Sequence, residues 1–316
     1  MKLLIVISLF LMIVVALLQG SVDIDFFHMT QIQRDILIHV RLPRVLMAAV
    51  VGASLSLSGT LLQYVMKNPL ADSFTTGISA SSAMGAVFAI MLGLSYILPI
   101  FALFGGLIGL IVVYKISSVG GRIQPITMLL AGIVMNTFCS AVISFVKFLS
   151  DDSVSSIVFW LMGGFQNSSI HRVITLFILL CIIFLSIRKD YLSMDILCFD
   201  DTTALASGVD VSFLRKKIFF SASLLTAFCV GYAGIIGFVG LIVPHIMRLI
   251  KFVKAEELIP ICLFGGAFFM VLNDLVSRTI LPEGQELPVG IITSSIGGLF
   301  FLYLLLKRRK ELYYFA

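Results

Sequence analysis

Hydrophobic and polar residues in this chain do not alternate; they separate into long blocks. Continuously apolar stretches fall at about 3–18, 42–62, 77–93, 98–114, 124–148, 170–187, 217–235, 237–252, 260–280 and 289–306, joined by short polar connections. A helix needs about 20 apolar residues to cross the hydrocarbon of a bilayer, whereas spanning barrels alternate apolar and polar positions. Backbone groups inside lipid must also be satisfied within the chain, so unbroken apolar spans are helical. The pattern therefore predicts an all-α polytopic membrane protein with about ten transmembrane helices, a single domain over residues 1–316, and no room for a sizeable soluble domain.

Composition agrees with the pattern. Hydrophobic residues make up 59% of the chain and charged residues 12%, with a mean hydropathy of +1.11, far from the balance of a soluble domain. The opening "MKLLIVISLFLMIVVALLQG" has a lysine and an apolar core like a signal peptide, but the core is long and no A-x-A site follows, so a retained first helix is expected. Five dispersed cysteines (Cys139, Cys181, Cys198, Cys229, Cys262) show no metal-ligand spacing and are read as apolar packing residues. No metal site is expected.

Charge orients the chain. With the N-terminus inside, Lys2, Lys67, Lys115, Arg122, Arg188, Lys189, Arg215, Lys216, Lys217, Arg248, Lys251, Lys254, Lys307, Arg308, Arg309 and Lys310 fall on the cytoplasmic side, 16 of the 22 basic residues. Arg34, Arg41, Arg44, Lys147, Arg172 and Arg278 fall outside or near the outer ends. That asymmetry follows the positive-inside rule and places both termini in the cytoplasm. The net charge of +5 then calls for no nucleic acid.

One connection, about 188–216, is long, polar and cytoplasmic, where a bare link needs only about 2–8 residues. Inside it "DDTTALASG" has an acidic start and a glycine stop, predicting a short surface helix with a docking role. No G-x-x-x-x-G-K-[ST] is present, so this chain does not cradle ATP in a Walker A loop and its energy must come from elsewhere. Neither H-E-x-x-H nor G-x-S-x-G occurs, and His28, His39, His171 and His245 are scattered, so no catalytic residues are assigned. Asp274 is the one acid placed within a helix, which weakens the case for an ion-coupled carrier.

Three blocks carry a family resemblance. Residues 41–85, "RLPRVLMAAVVGASLSLSGTLLQYVMKNPLADSFTTGISASSAMG", contain R-L-P-R, S-G-x-x-x-Q, N-P-L-A-D and a following G-I-S motif. Residues 207–250 end in "GFVGLIVPHIMRLI", and residues 273–310 include "QELPVG". In this order they resemble the iron-siderophore, haem and vitamin B12 permeases, the membrane subunits of type II ABC importers. "SASS" departs from the usual S-S-G, Asn273 from a common alanine, and Gln285 from the alanine of A-E-L-P.

The resemblance implies a permease that pairs with itself or a related permease, two cytoplasmic ATPases carrying ATP and magnesium, an external binding protein, and no cofactor on this chain. It implies a coupling segment at about 199–213, with Asp200, Asp201, Ala204, Leu205, Gly208 and Val209 in or beside the ATPase groove. It implies that Arg41, Arg44 and Arg278 meet acidic residues of the binding protein; arginines anchoring helix ends among lipid head groups are the plainer alternative.

Pathway or gate candidates are Ser54, Ser58, Gln63, Asn68, Ser79, Ser81, Ser82 and Asn136, together with Pro244 and His245. Gly237 and Gly240 are expected to let two helices turn back and pack closely, and His245 and Arg248 to face the cytoplasmic end together. The function expected is import of an iron chelate, siderophore or haem, across a bacterial inner membrane. A cobalamin permease, or a transporter or channel without an ATPase, are the alternatives.

Overall fold

The computed structural model describes residues 2–20, 29–120, 122–150, 153–282 and 285–307. His28 and the basic tail residues Arg308, Arg309 and Lys310 lie outside the described residues. The chain order is α1 (Lys2–Leu18), α2 (Gln31–Asp35), a π-helical turn (Ile36–Arg41), α3 (Leu42–Met66), α4 (Ile78–Met91), α5 (Leu98–Ser117), α6 (Pro125–Leu149) and α7 (Val154–Leu161). Then come α8 (Ile170–Ile187), α9 (Tyr191–Leu197), α10 (Asp201–Ala206), α11 (Val211–Ala233), α12 (Val239–Leu249), α13 (Ala255–Thr279) and α14 (Val289–Lys307). A two-residue antiparallel pair, Ser118–Val119 with Arg122–Ile123, joins α5 to α6.

Each of the ten apolar stretches holds a long or medium helix: α1, α3, α4, α5, α6, α8, α11, α12, α13 and α14. Five segments among the described residues are long and apolar enough to cross a membrane by length and composition: Gln31–Met66, Ser95–Ser117, Pro125–Leu149, Ile170–Leu197 and Ala255–Thr279. The sequence misses α7 and α9 because each is too short to register as a span.

The bundle is organised around α3, which is buried along almost its whole length from Pro43 to Met66. Small residues make that possible. A Cβ on Gly52 would lie 2.2 Å from the Gly266 carbonyl oxygen of α13, and one on Gly59 would lie 2.2 Å from the Gly240 oxygen of α12. Backbones approach this closely only where side chains are absent. Ser58 joins α3 to α11, donating to the Ala222 carbonyl at 2.9 Å and sharing a 2.8 Å hydrogen bond with Thr226. In contrast α6 and α8 keep Phe138, Phe145, Phe177 and Ile182 exposed, as befits helices whose surroundings are hydrocarbon.

Two local features have proline and glycine causes. Pro43 lacks an N–H and crowds the carbonyl four residues earlier. The chain answers with the wider π turn just before it, where the Leu42 N–H reaches the Leu37 carbonyl. Between α11 and α12 the chain turns at 234–238, where Gly234 and Phe238 have φ of +69° and +68°. A Cβ on Gly234 would sit 2.3 Å from the Trp160 carbonyl oxygen, so glycine is required there. The Gly164 N–H donates to the freed Ala233 carbonyl at 2.8 Å, which satisfies the end of α11 inside the protein.

Candidate functional site

The polar residues gather at the two ends of the bundle. At one end lie the first turn of α3, the last turns of α1 and α13, and the segment leading into α14. Asp274, fully buried, lies between two arginines: Arg44 Nε at 2.9 Å from Oδ1 and Arg278 Nε at 3.1 Å from Oδ2. Arg44 also reaches Glu286 at 2.7 Å. Arg278 donates to the Ala16 and Gln19 carbonyls, and Arg41 donates to those of Leu17 and Leu18, so both cap the C-terminal end of α1. Four chain segments are fastened together here by buried charge.

The three arginines expected to meet a binding protein are turned inward in this chain. Arg41, Arg44 and Arg278 are 4%, 6% and 3% exposed, and their charge is spent on Asp274, Glu286 and helix-end carbonyls. Asp274 and Glu286 were visible in the sequence as "ND" and "QELP", but nothing in sequence spacing links residue 44 to residues 274 and 286.

Of the residues expected to line a pathway, Ser54, Ser58, Ser79, Ser81, Ser82 and Gln63 are buried within the chain. The serines are small residues at helix contacts: Ser81 Oγ donates to the Gly77 carbonyl at 2.9 Å and the Ser82 hydroxyl fills the space beside Gly106. Asn68 and Asn136 are only partly buried but serve the α3–α4 connection, the first accepting from Leu70 N–H at 2.9 Å and the second donating to the Phe74 carbonyl at 2.5 Å.

The P-H-x-x-R motif has a structural explanation. Pro244 lies inside α12 and cannot bond the Gly240 carbonyl four residues back. Gln63 of α3 takes the missing place, its Nε2 donating to that carbonyl at 3.0 Å, and its Oε1 accepts from Arg248 at 2.5 Å. His245 turns elsewhere, edge-on to Phe300 of α14 with ring centroids 5.6 Å apart. His245 and Arg248 thus diverge rather than facing the end of the bundle together.

The opposite, basic end carries the long connection. Asp200 caps α10, accepting from the Thr203 N–H at 2.7 Å and from the Thr202 hydroxyl. These bonds hold its carboxyl well below the usual carboxylate range. Gly208, at φ +80°, and the Val209 N–H to Ala204 carbonyl bond close the helix at its other end. Asp201 takes a bidentate pair from Arg215 of α11 at 2.7 and 2.8 Å and a bond from Lys67 at 2.9 Å. Partial burial pushes the Asp201 carboxyl up, but the two cations outweigh it and hold it low.

Ala204 is buried and Leu205 is exposed. Of the expected coupling residues, then, Asp201 and Ala204 hold α10 in place, Asp200, Gly208 and Val209 shape its ends, and Leu205 faces outward. The outward apolar surface also contains Leu192, Phe199 and Phe213, the sequence having singled out none of them. Their signal was an oily residue inside a polar connection. On α9, Asp195 accepts from the Ala255 N–H at 2.9 Å and caps α13, while Lys217 of α11 reaches Asp190 at 2.6 Å. The connection is therefore bolted to α3, α11 and α13.

Comparison with known proteins places these features. Residues 3–307 match the FecCD transport family. A permease of Halobacterium salinarum named for cobalamin import is 38% identical over 85% of this chain and 73% of its own length. One of Helicobacter pylori named for iron chelatin transport is 36% identical over 87% of this chain and 83% of its own. A solved inward-facing structure of a metal-chelate type ABC transporter superposes with a TM-score of 0.88 at 30% identity, covering 97% of this chain and 98% of that one. A bundle held by buried charge at one end and carrying a braced, outward-facing connection at the other is the structure of a transport subunit, and the chain belongs to the FecCD transport family of ABC importer permeases.

Proposed function

We propose that this permease imports an iron chelate, a siderophore or haem, across the bacterial cytoplasmic membrane, with both termini in the cytoplasm. In this reading it pairs with a second permease, receives cargo from an external binding protein, and binds no cofactor itself, ATP and magnesium residing on two partner ATPases. The observation that carries the reading is the α9–α10 connection. It is a short capped helix pair with Leu192, Phe199, Leu205 and Phe213 outward, braced through Asp201 to α3 and α11 and through Asp195 to α13. A rigid element with an apolar ridge can seat in a groove of a moving partner and pass its motion to the central helices.

The relative named for iron chelatin transport supports the cargo. A second reading, cobalamin, is supported by the relative named for cobalamin import. The test is uptake in cells lacking the chain, offered labelled iron as several siderophores, labelled haem and labelled cobalamin. Loss of one iron source, restored by the intact gene but not by a version with 199–209 replaced by a Gly/Ser linker, is the expected result. Loss of cobalamin uptake alone selects the second reading. Full uptake of every cargo with the linker version overturns the coupling role.

A further inference from the structure

A cavity of about 1240 Å³ opens at the basic end between α3, α8, α9, α12 and the start of α13. Its lining divides by chemistry. Five cations, Lys67, Arg188, Lys189, Arg248 and Lys254, face two acids, Asp195 and Glu256. Several of these charges are already used: Lys67 pairs with Asp201, Arg248 bonds Gln63, and Asp195 caps α13. Arg188, Lys189 and Lys254 are exposed, and no ion pair is formed by them among the described residues. These three cations line the cavity beside Glu256, so positive charge is in excess there among the described residues.

The remaining lining combines the polar Gln63 and Asn68 with an apolar set that includes Phe184, Leu192, Ile196, Phe199 and Val253. Phe184 belongs to α8, whose outer face carries exposed Ile174, Phe177, Ile178, Ile182 and Leu185 directly up to Arg188 and Lys189. An apolar ridge of hydrocarbon-facing side chains thus runs into a cavity rimmed by cations at the level where the helix ends. We infer that this cavity binds an anionic glycerophospholipid, its phosphate held by Arg188, Lys189 and Lys254 and its acyl chains lying along α8. Basic pockets between membrane helices suit such head groups, and each cation near the surface contributes about 1 kcal/mol toward an anionic lipid. A soluble phosphate would use the cations but leave Phe184, Ile196, Val253 and the α8 ridge without a role.

The experiment uses the purified full chain, delipidated in detergent, titrated with phosphatidylglycerol and with phosphatidylcholine and read by native mass spectrometry. Glycerol 1-phosphate and inorganic pyrophosphate serve as soluble competitors. The test variant is R188Q/K189Q/K254Q, three exposed positions, with the melting midpoint measured to confirm folding. The expected result is retained phosphatidylglycerol, little phosphatidylcholine, weak competition by the soluble phosphates, and a loss of affinity on the order of 100-fold in the variant. Equal retention of both lipids, or unchanged retention in the folded variant, overturns the inference. Displacement by glycerol 1-phosphate at concentrations matching the lipid makes this a soluble-phosphate site and overturns the lipid assignment. Lost ATPase capture with unchanged lipid retention in the variant makes the surface a protein contact and overturns it too. None of these outcomes depends on which cargo the permease carries.

Discussion

Replacing Asp274 by alanine tests whether the buried charges hold the bundle together. The carboxylate is fully buried and takes Arg44 at 2.9 Å and Arg278 at 3.1 Å. A hydrogen bond to a charged group contributes about 1.5–3 kcal/mol, so two give about 3–6 kcal/mol. Removing one partner of a buried ion pair costs about 3–5 kcal/mol, because the remaining charge is left without compensation. The two ranges overlap near 4 kcal/mol, which is the expected loss for Asp274→Ala. Asp274→Asn keeps the shape but not the charge, and its amide oxygen can serve only one guanidinium well, so it should lose more than half as much.

Lys2→Ala is the control. Lys2 and Glu257 pair at 2.8 Å with both side chains largely exposed, and solvent screening leaves such pairs little net effect on stability. The assay is denaturant unfolding of the purified chain in detergent, followed by the fluorescence of Trp160, the one tryptophan. A loss under about 1 kcal/mol for Asp274→Ala, no larger than that for Lys2→Ala, would refute the clamp and reopen the three arginines as outward-facing groups.

Four further outcomes follow from the same structure. Gln63→Leu should cost about 2–4 kcal/mol by orphaning the Gly240 carbonyl and Arg248. Adding Pro244→Ala should recover part of that cost, since alanine restores an N–H for the carbonyl, and the double-mutant cycle measures the recovery. Gly59→Val should abolish the folded permease, because its Cβ would sit 2.2 Å from the Gly240 oxygen, and size-exclusion of the detergent extract reads the loss.

Burial pushes the Asp72 carboxyl up to about 6, so the folded state holds its proton more tightly than the unfolded state. Stability should fall as pH rises from about 4 through about 6, and Asp72→Asn should be more stable at pH 7.5 by up to about 3 kcal/mol, a gain absent at pH 4 in parallel melts. Asp201 behaves oppositely, its carboxyl being held low by Lys67 and Arg215. The contribution of its pairs is present at neutral pH and lost in acid, so proteolysis of the 199–210 segment should rise below about pH 4, and at neutral pH in Asp201→Asn.

Much of the architecture is legible in the chain because membrane helices are specified locally. A run of apolar residues satisfies both the lipid and its own backbone without a neighbour, so the ten stretches map onto ten helices. The short helix in the long connection was legible for the same reason, as Asp200 and Gly208 form its caps within a few residues. What the sequence left open is where its polar side chains sit. Serines in α3 and α4 look like polar channel walls, yet in a tightly packed bundle their small size serves close helix contact. Arginines at an outer helix end look available to a partner until distant acids are brought to them.

The apolar blocks, the positive-inside bias, the proline and glycine breaks and the three family motifs determine by themselves a ten-helix permease, because each depends on residues close in sequence or on composition. Tertiary structure decided which polar groups meet. Asp274 and Glu286 neutralise Arg44 across 230 and 242 positions, Gln63 repairs the carbonyl that Pro244 abandons from 177 positions away, and Lys67 joins Arg215 on Asp201. Buried charge is tolerated only when paired, and the partners come from whichever helices the packing of small residues brings alongside. No local pattern records that choice, and it set Arg41, Arg44 and Arg278 in the clamp at one end of the bundle.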